Sequence, residues 1–166
     1  GTFKKDALVA AGGYDERFTR AQDWELNYRL RKNGGVVWFD PSLIVTYRPR
    51  SSISKLAKQY FQYGTWRRAV SRSHKGTANS RYLAPPTALA INVLSLIFGL
   101  FVAPIFLIPL GIYLSLIILG SAFIGRGLSE KIYLPIVLVT MHMVWGLGYL
   151  ISPKNIVNDV DVNEPL

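Results

Sequence analysis

The sequence predicts an α/β unit followed by an all-α membrane region of about three helices. Three observations carry this expectation. Residues 1–84 hold sixteen of the nineteen Lys and Arg and six of the ten acids, a net of +10, whereas residues 85–166 stand at −1. Two runs lack Asp, Glu, Lys and Arg altogether: the forty-four residues between Arg81 and Arg126, and the twenty from Ile132 to Ile151. The first fifty residues instead mix helix-like periodicity with short β-branched and aromatic runs.

In chain order, the residues ahead of Gly12-Gly13 read as a helix ending in a glycine turn. Ala21 to Gly35, AQDWELNYRLRKNGG, reads as a short helix with Asp23 near its start and Gly34-Gly35 as its stop. At about 100° per residue, Asp23, Leu26 and Leu30 share one side, and Glu25, Arg29 and Lys32 share another. The charged side is expected to face water, with Glu25 pairing with Arg29 at i,i+4. Asp23 is then a carboxylate at the edge of the side to be buried, either an N-cap or a reactive group. Val36–Phe39 and Leu43–Tyr47 are β-type runs separated by Asp40-Pro41-Ser42, and Pro49 interrupts the chain after them.

Ser51 or Ser52 is expected to cap a further helix. Ile53, Leu56, Ala57 and Tyr60 form its apolar stripe, with Lys55 and Lys58 opposite; Gly64 breaks the phase before Trp66-Arg67-Arg68. Cations beside aromatics suit a bilayer interface, and an ordinary surface helix is the alternative.

A helix crosses the hydrocarbon core with about 20 apolar residues. The longer uncharged run therefore fits two crossings, near Thr87–Ala103 and Gly111–Ile124, parted by Pro104 and Pro109. Ile132–Ile151 supplies a third. Buried helices of a soluble core would show a polar stripe, which these runs lack. By the positive-inside rule, the N-terminal unit and the Arg126–Lys131 loop are expected in the cytoplasm, and the acidic tail 152–166 outside. His142 sits mid-span and is expected to bond between helices, while Gly146 and Gly148 admit a close neighbour. The absence of cysteine excludes disulfides and thiolate metal sites, and two histidines make a zinc site unexpected. The basic half fits anionic lipid headgroups; no nucleic-acid recognition motif accompanies it, so no nucleic acid is expected as partner.

GTFKKDALVAAGGYDERF, QDWELNYRLRKNGG and VVWFDPSLIVTYRPRSS together resemble the second half of a family-2 glycosyltransferase catalytic domain. KQYFQYGTWRRAV, RYLAPP and HMVWGLGYL resemble its membrane-anchored branch, of the exopolysaccharide, succinoglycan-synthesis type. The resemblance implies the nucleotide-sugar-binding GT-A fold, α/β with a mixed sheet. It assigns 1–50 to the C-terminal part of that domain, 51–84 to an amphipathic interfacial segment, 85–151 to transmembrane helices and 152–166 to the tail. In that family an Asp preceding the x-E-L-x-x-R helix is the general base of an inverting transfer. Asp23 stands in its place, and Gln22 replaces the acid that usually precedes it.

The family's Gln-x-x-Arg-Trp signature is partly present. Gln62 and Trp66 match, Thr65 replaces the Arg, and Arg67 follows, so Gln62, Trp66 and Arg67 are the expected acceptor-binding or interfacial residues. Tyr47 stands where many relatives have His, so no metal ligand is expected in this chain. The Asp-x-Asp motif that holds the donor diphosphate through Mg²⁺ or Mn²⁺ lies upstream of the acidic pair in the family. The chain, opening Gly-Thr-Phe without Met, is accordingly expected to start inside a larger protein and to be inactive without that donor half. The expected partners are a nucleotide sugar, through that missing half, a lipid-linked or growing polysaccharide acceptor, and membrane lipids. The alternative is a non-catalytic membrane anchor or partner subunit of a polysaccharide-assembly complex.

Overall fold

The structure, a computed structural model, describes residues 2–48 and 50–157. Pro49 and the tail residues 158–166 lie outside them. The described residues form α1 (Lys5–Ala10), α2 (Gln22–Lys32), α3 (Ile53–Ser73), α4 (Ala84–Phe101), α5 (Ile108–Ile124) and α6 (Leu128–Leu150). Short 3₁₀ turns cover Ser80–Tyr82 and Pro104–Leu107.

The expected α/β character is not seen: among the described residues there is no strand. Val36–Phe39 and Leu43–Tyr47 are non-helical and exposed, with Trp38 at 84% and Ile44 at 90%. A strand is completed by hydrogen bonds to a neighbour, and neither run has one here. β-type composition without a partner leaves an unpaired segment.

Local signals placed the helices well. α1 ends in a glycine turn, with Gly12 and Gly13 at φ +78° and +71° and the Gly13 N–H donating to the Leu8 carbonyl at 2.9 Å. α2 ends on Gly34 at φ +82°, with the Gly35 N–H reaching the Leu30 carbonyl at 2.9 Å. Ser52 caps α3, accepting from the Lys55 N–H at 3.3 Å. The N-cap position of α2 belongs to Ala21, in the left-handed region at φ +61° and without a side-chain cap, so Asp23 does not cap its helix.

The inward face of α2 differs from the one expected. Glu25, 1% exposed, is buried together with Leu26, while Asp23 is exposed. The Glu25–Arg29 pair forms, but inside the protein: Arg29 Nε lies 2.6 Å from Glu25 Oε1, and His74 Nε2 lies 2.9 Å from the same oxygen. Arg29 also donates to the carbonyls of Ala11 and of Gly13, the latter at 2.7 Å. A carboxylate this deep is tolerated because it is paired and hydrogen-bonded, and its partners come from segments that helical phase does not reveal.

α3 runs unbroken through Gly64, which is its crossing point with α6. A Cβ on Gly64 would collide with the Trp145 carbonyl, and one on Gly148 with the Phe61 carbonyl. The backbones meet this closely because both positions are glycine. Thr65 Oγ1 donates to the Gly148 carbonyl at 3.2 Å, and Ser152 Oγ to the Thr65 carbonyl at 2.9 Å.

Ser80–Phe101, Pro104–Ile124 and Leu128–Leu150 are each long and apolar enough to cross a membrane. α5 and α6 form an antiparallel hairpin about Gly125, with Tyr113 Oη 3.2 Å from His142 Nδ1. His142 thus bonds between helices as expected. α4 runs across this hairpin. A Cβ on Gly146 would lie 2.6 Å from the Pro85 carbonyl. Ten residues on, Ser95 Oγ accepts from the Leu110 N–H at 3.2 Å. In the hairpin's register Leu110 stands opposite about residue 145. Some 15 Å of α4 therefore advances by only about a residue along α6.

The tail also departs from expectation. Ile156 and Val157 pack against the cluster of Phe18, Trp66, Ala69 and Val70, and Arg72 donates to the Ser152 carbonyl at 2.6 Å. Residues 152–157 share the end of α6 that carries the N-terminal unit, whereas charge counting had placed the two on opposite membrane faces.

Candidate functional site

α2 and α3 meet beside the loop that leads to Ser80–Tyr82. On α2, Trp24, Tyr28 and Arg31 recur at i, i+4 and i+7, so they share one face. That face, with Lys32, lines a cavity of about 500 Å³ completed by Arg67 from α3 and by Asn79, Arg81 and Tyr82. Among the described residues that line it, four are cations and none is a carboxylate.

Arg67 is its centre. It is 9% exposed, and its guanidinium lies 4.0 Å from the centroid of Trp24 and 3.8 Å from that of Tyr82. Such double stacking is favourable because each ring face is electron-rich. Arg67 donates to the Tyr82 hydroxyl, as does Arg81 Nη2 at 2.8 Å. Two guanidinium groups thus converge on one neutral oxygen. Arg67 Nε is buried and has no hydrogen-bond partner among the described residues. Burial holds Arg67 below the usual arginine value; the Tyr82 oxygen opposes this, and the nearby charge of Arg81 adds to it.

Asp23, the residue before Trp24, is exposed on the first turn of α2. Its Oδ1 accepts from the Trp24 N–H at 2.9 Å, and among the described residues its carboxylate makes no ion pair. Gln62 is half-buried next to Tyr63, whose ring lies 6.5 Å from that of Trp24. Trp66 points elsewhere: it is 7% exposed, in the cluster with Phe18, Ala69 and Val70. Of the expected residues, the structure brings Arg67 to the cavity and seats Trp66 in the core. It adds Trp24, Arg31, Arg81 and Tyr82. The spacing of Trp24, Tyr28 and Arg31 was the signal available for the α2 contribution; nothing local marks Tyr82.

Among the described residues no group of three or more His, Asp or Glu stands together. The cationic cavity does not fit a divalent cation, since such ions take oxygen ligands, carboxylates above all.

A cationic, aromatic-walled cavity thus lies just ahead of the first long apolar helix. Sequence comparison shows homology to glycosyltransferases of polysaccharide and glycan synthesis. It is 29% identical over 150 residues to succinoglycan biosynthesis protein ExoA of Rhizobium meliloti (strain 1021), covering 87% of this chain and 44% of that protein. It is also 29% identical over 138 residues to the dolichyl N-acetyl-alpha-D-glucosaminyl phosphate 3-beta-D-2,3-diacetamido-2,3-dideoxy-beta-D-glucuronosyltransferase of Methanococcus voltae, covering 82% of this chain and 40% of that protein. The chain spans less than half the length of either relative. No family profile and no solved structure matches it.

Proposed function

We propose that the chain is the acceptor-side and membrane part of an inverting glycosyltransferase. The enzyme moves a sugar from a nucleotide donor to a lipid-linked or growing polysaccharide acceptor at the cytoplasmic membrane face. Homology to glycosyltransferases over most of the chain carries this reading. Asp23 is the base. It takes the proton of the acceptor hydroxyl as that oxygen bonds to the anomeric carbon, and the nucleoside diphosphate leaves from the opposite face with the bonding electrons. An exposed carboxylate without an ion pair among the described residues suits this role, because it can approach a hydroxyl. Val36–Phe39 and Leu43–Tyr47 would pair with further strands in a protein of the relatives' length, restoring the α/β fold that the resemblance implies. A divalent cation on the donor diphosphate would be held there too, by residues outside this chain.

The test is Asp23→Asn in a protein extended to the relatives' length, assayed in membranes with labelled nucleotide sugars. Transfer is expected to fall about a hundredfold or more, the usual contribution of a positioned base, while the protein stays folded. Near wild-type transfer overturns the base assignment. If the extended wild type transfers no sugar, the chain serves instead as a non-catalytic anchor.

A further inference from the structure

We propose that the cavity around Arg67 is a diphosphate-binding site. Four independent observations lead there. Arg31, Lys32, Arg67 and Arg81 line one cavity with no acid among the described residues that line it. Arg67 and Arg81 are held against each other on the single hydroxyl of Tyr82. Like charges kept so close in a partly buried place favour an anion between them, and among the described residues neither guanidinium has an ion pair. Arg67 Nε is a buried donor left unpartnered, which costs free energy until an acceptor arrives. The stacked rings of Trp24 and Tyr82 fix the guanidinium plane, so little conformational freedom is lost on binding.

Phosphoryl oxygens satisfy all of these at once. Guanidinium groups bind them through paired, charge-assisted hydrogen bonds. At about 500 Å³ the cavity exceeds what one phosphate fills, and its cations come from three separate segments, α2, α3 and the 3₁₀ turn. A diphosphate, with charge spread over two adjoining groups, matches that spread. Two sources share this chemistry: the headgroup of a lipid-linked acceptor and the nucleoside diphosphate released by the donor. The assignment deepens the glycosyltransferase reading and rests on it for the ligand's origin. It is measured by binding alone, so its failure leaves the Asp23 test untouched.

The experiment uses the purified chain in nanodiscs, titrated with inorganic pyrophosphate by calorimetry and by Trp fluorescence. Saturable binding is expected at millimolar concentration or below. Arg67→Gln should weaken it about tenfold or more, as for loss of a charged hydrogen-bonding group. Arg81→Gln, at an exposed position that leaves the core intact, should weaken it severalfold, and Arg126→Gln should change nothing. A polyisoprenyl diphosphate embedded in the disc and a soluble nucleoside diphosphate are then tested as competitors. Displacement by the lipid places the acceptor headgroup in the cavity; displacement by the nucleotide alone places the leaving group there. No saturable pyrophosphate binding overturns the proposal. So does binding that Arg81→Gln leaves unchanged, or that Arg126→Gln weakens equally, since the anion then sits on general surface charge.

Discussion

Glu25 shows how much one residue can depend on distant chain. It is buried against Arg29 of its own helix and His74 beyond α3. Arg29 in turn holds the carbonyls of the α1 glycine turn. Removing one member of a buried ion pair strands the others, so Glu25→Gln should lower stability by about 3 kcal/mol or more. Thermal unfolding in detergent, with Glu16→Gln as an exposed control, checks this; equal midpoints would contradict it. Asp15 makes a smaller, pH-dependent contribution. Its hydrogen bonds from Arg17 hold the carboxyl below the usual Asp value. A lowered native pKa means that the stabilisation is present above the unfolded value near 4 and is lost as pH falls through the native one. Asp15→Asn should therefore flatten the acid limb of the stability profile and leave the rest of its shape unchanged. Residue-level chemistry was partly legible. The Glu25–Arg29 pair follows from spacing, yet its burial does not, because His74 and the glycine-turn carbonyls enter only through folding.

At the scale of elements, glycine and serine marked the ends of helices and glycine marked their crossings. The α1 and α2 turns and the Ser52 cap were readable because each depends on a few neighbouring residues. Gly64 was misread as a break in phase. It is the point where α3 meets α6, and a lone glycine looks alike in both roles until the partner helix is present. Gly148→Ala should push the new methyl into the Phe61 carbonyl and cost about 1–3 kcal/mol, as overpacking does. Gly120 has open space around it, so Gly120→Ala should leave the unfolding midpoint unchanged or raise it. Comparable losses at both positions would contradict the crossing. The two β-type runs failed for a different reason: strand propensity is local, but a strand exists only with a neighbour.

For the whole molecule, the arrangement of α4, α5 and α6 predicts a membrane topology. The N-terminal unit and residues 152–157 share one end of α6, and the connection around Gly127 lies at the other, some 30 Å away along the helix. With α4 running across the hairpin, although long and apolar enough to span, the expected outcome is two full crossings, by α5 and α6. The chain has no cysteine, so single substitutions can be labelled in oriented vesicles. Ser73→Cys and Lys154→Cys should react from the same side, and Gly127→Cys from the opposite one. Labelling of Ser73→Cys together with Gly127→Cys on one face, with Lys154→Cys on the other, would restore three crossings. Composition alone determined that this is a membrane-associated chain with a basic unit and three long apolar helices, because hydropathy and charge sum over residues wherever they end up. Which carboxylate is buried, which tryptophan meets Arg67, and which end of α6 residues 152–157 share with the N-terminal unit were decided by tertiary structure. Each of these depends on contacts between segments tens of residues apart, and no local pattern records them.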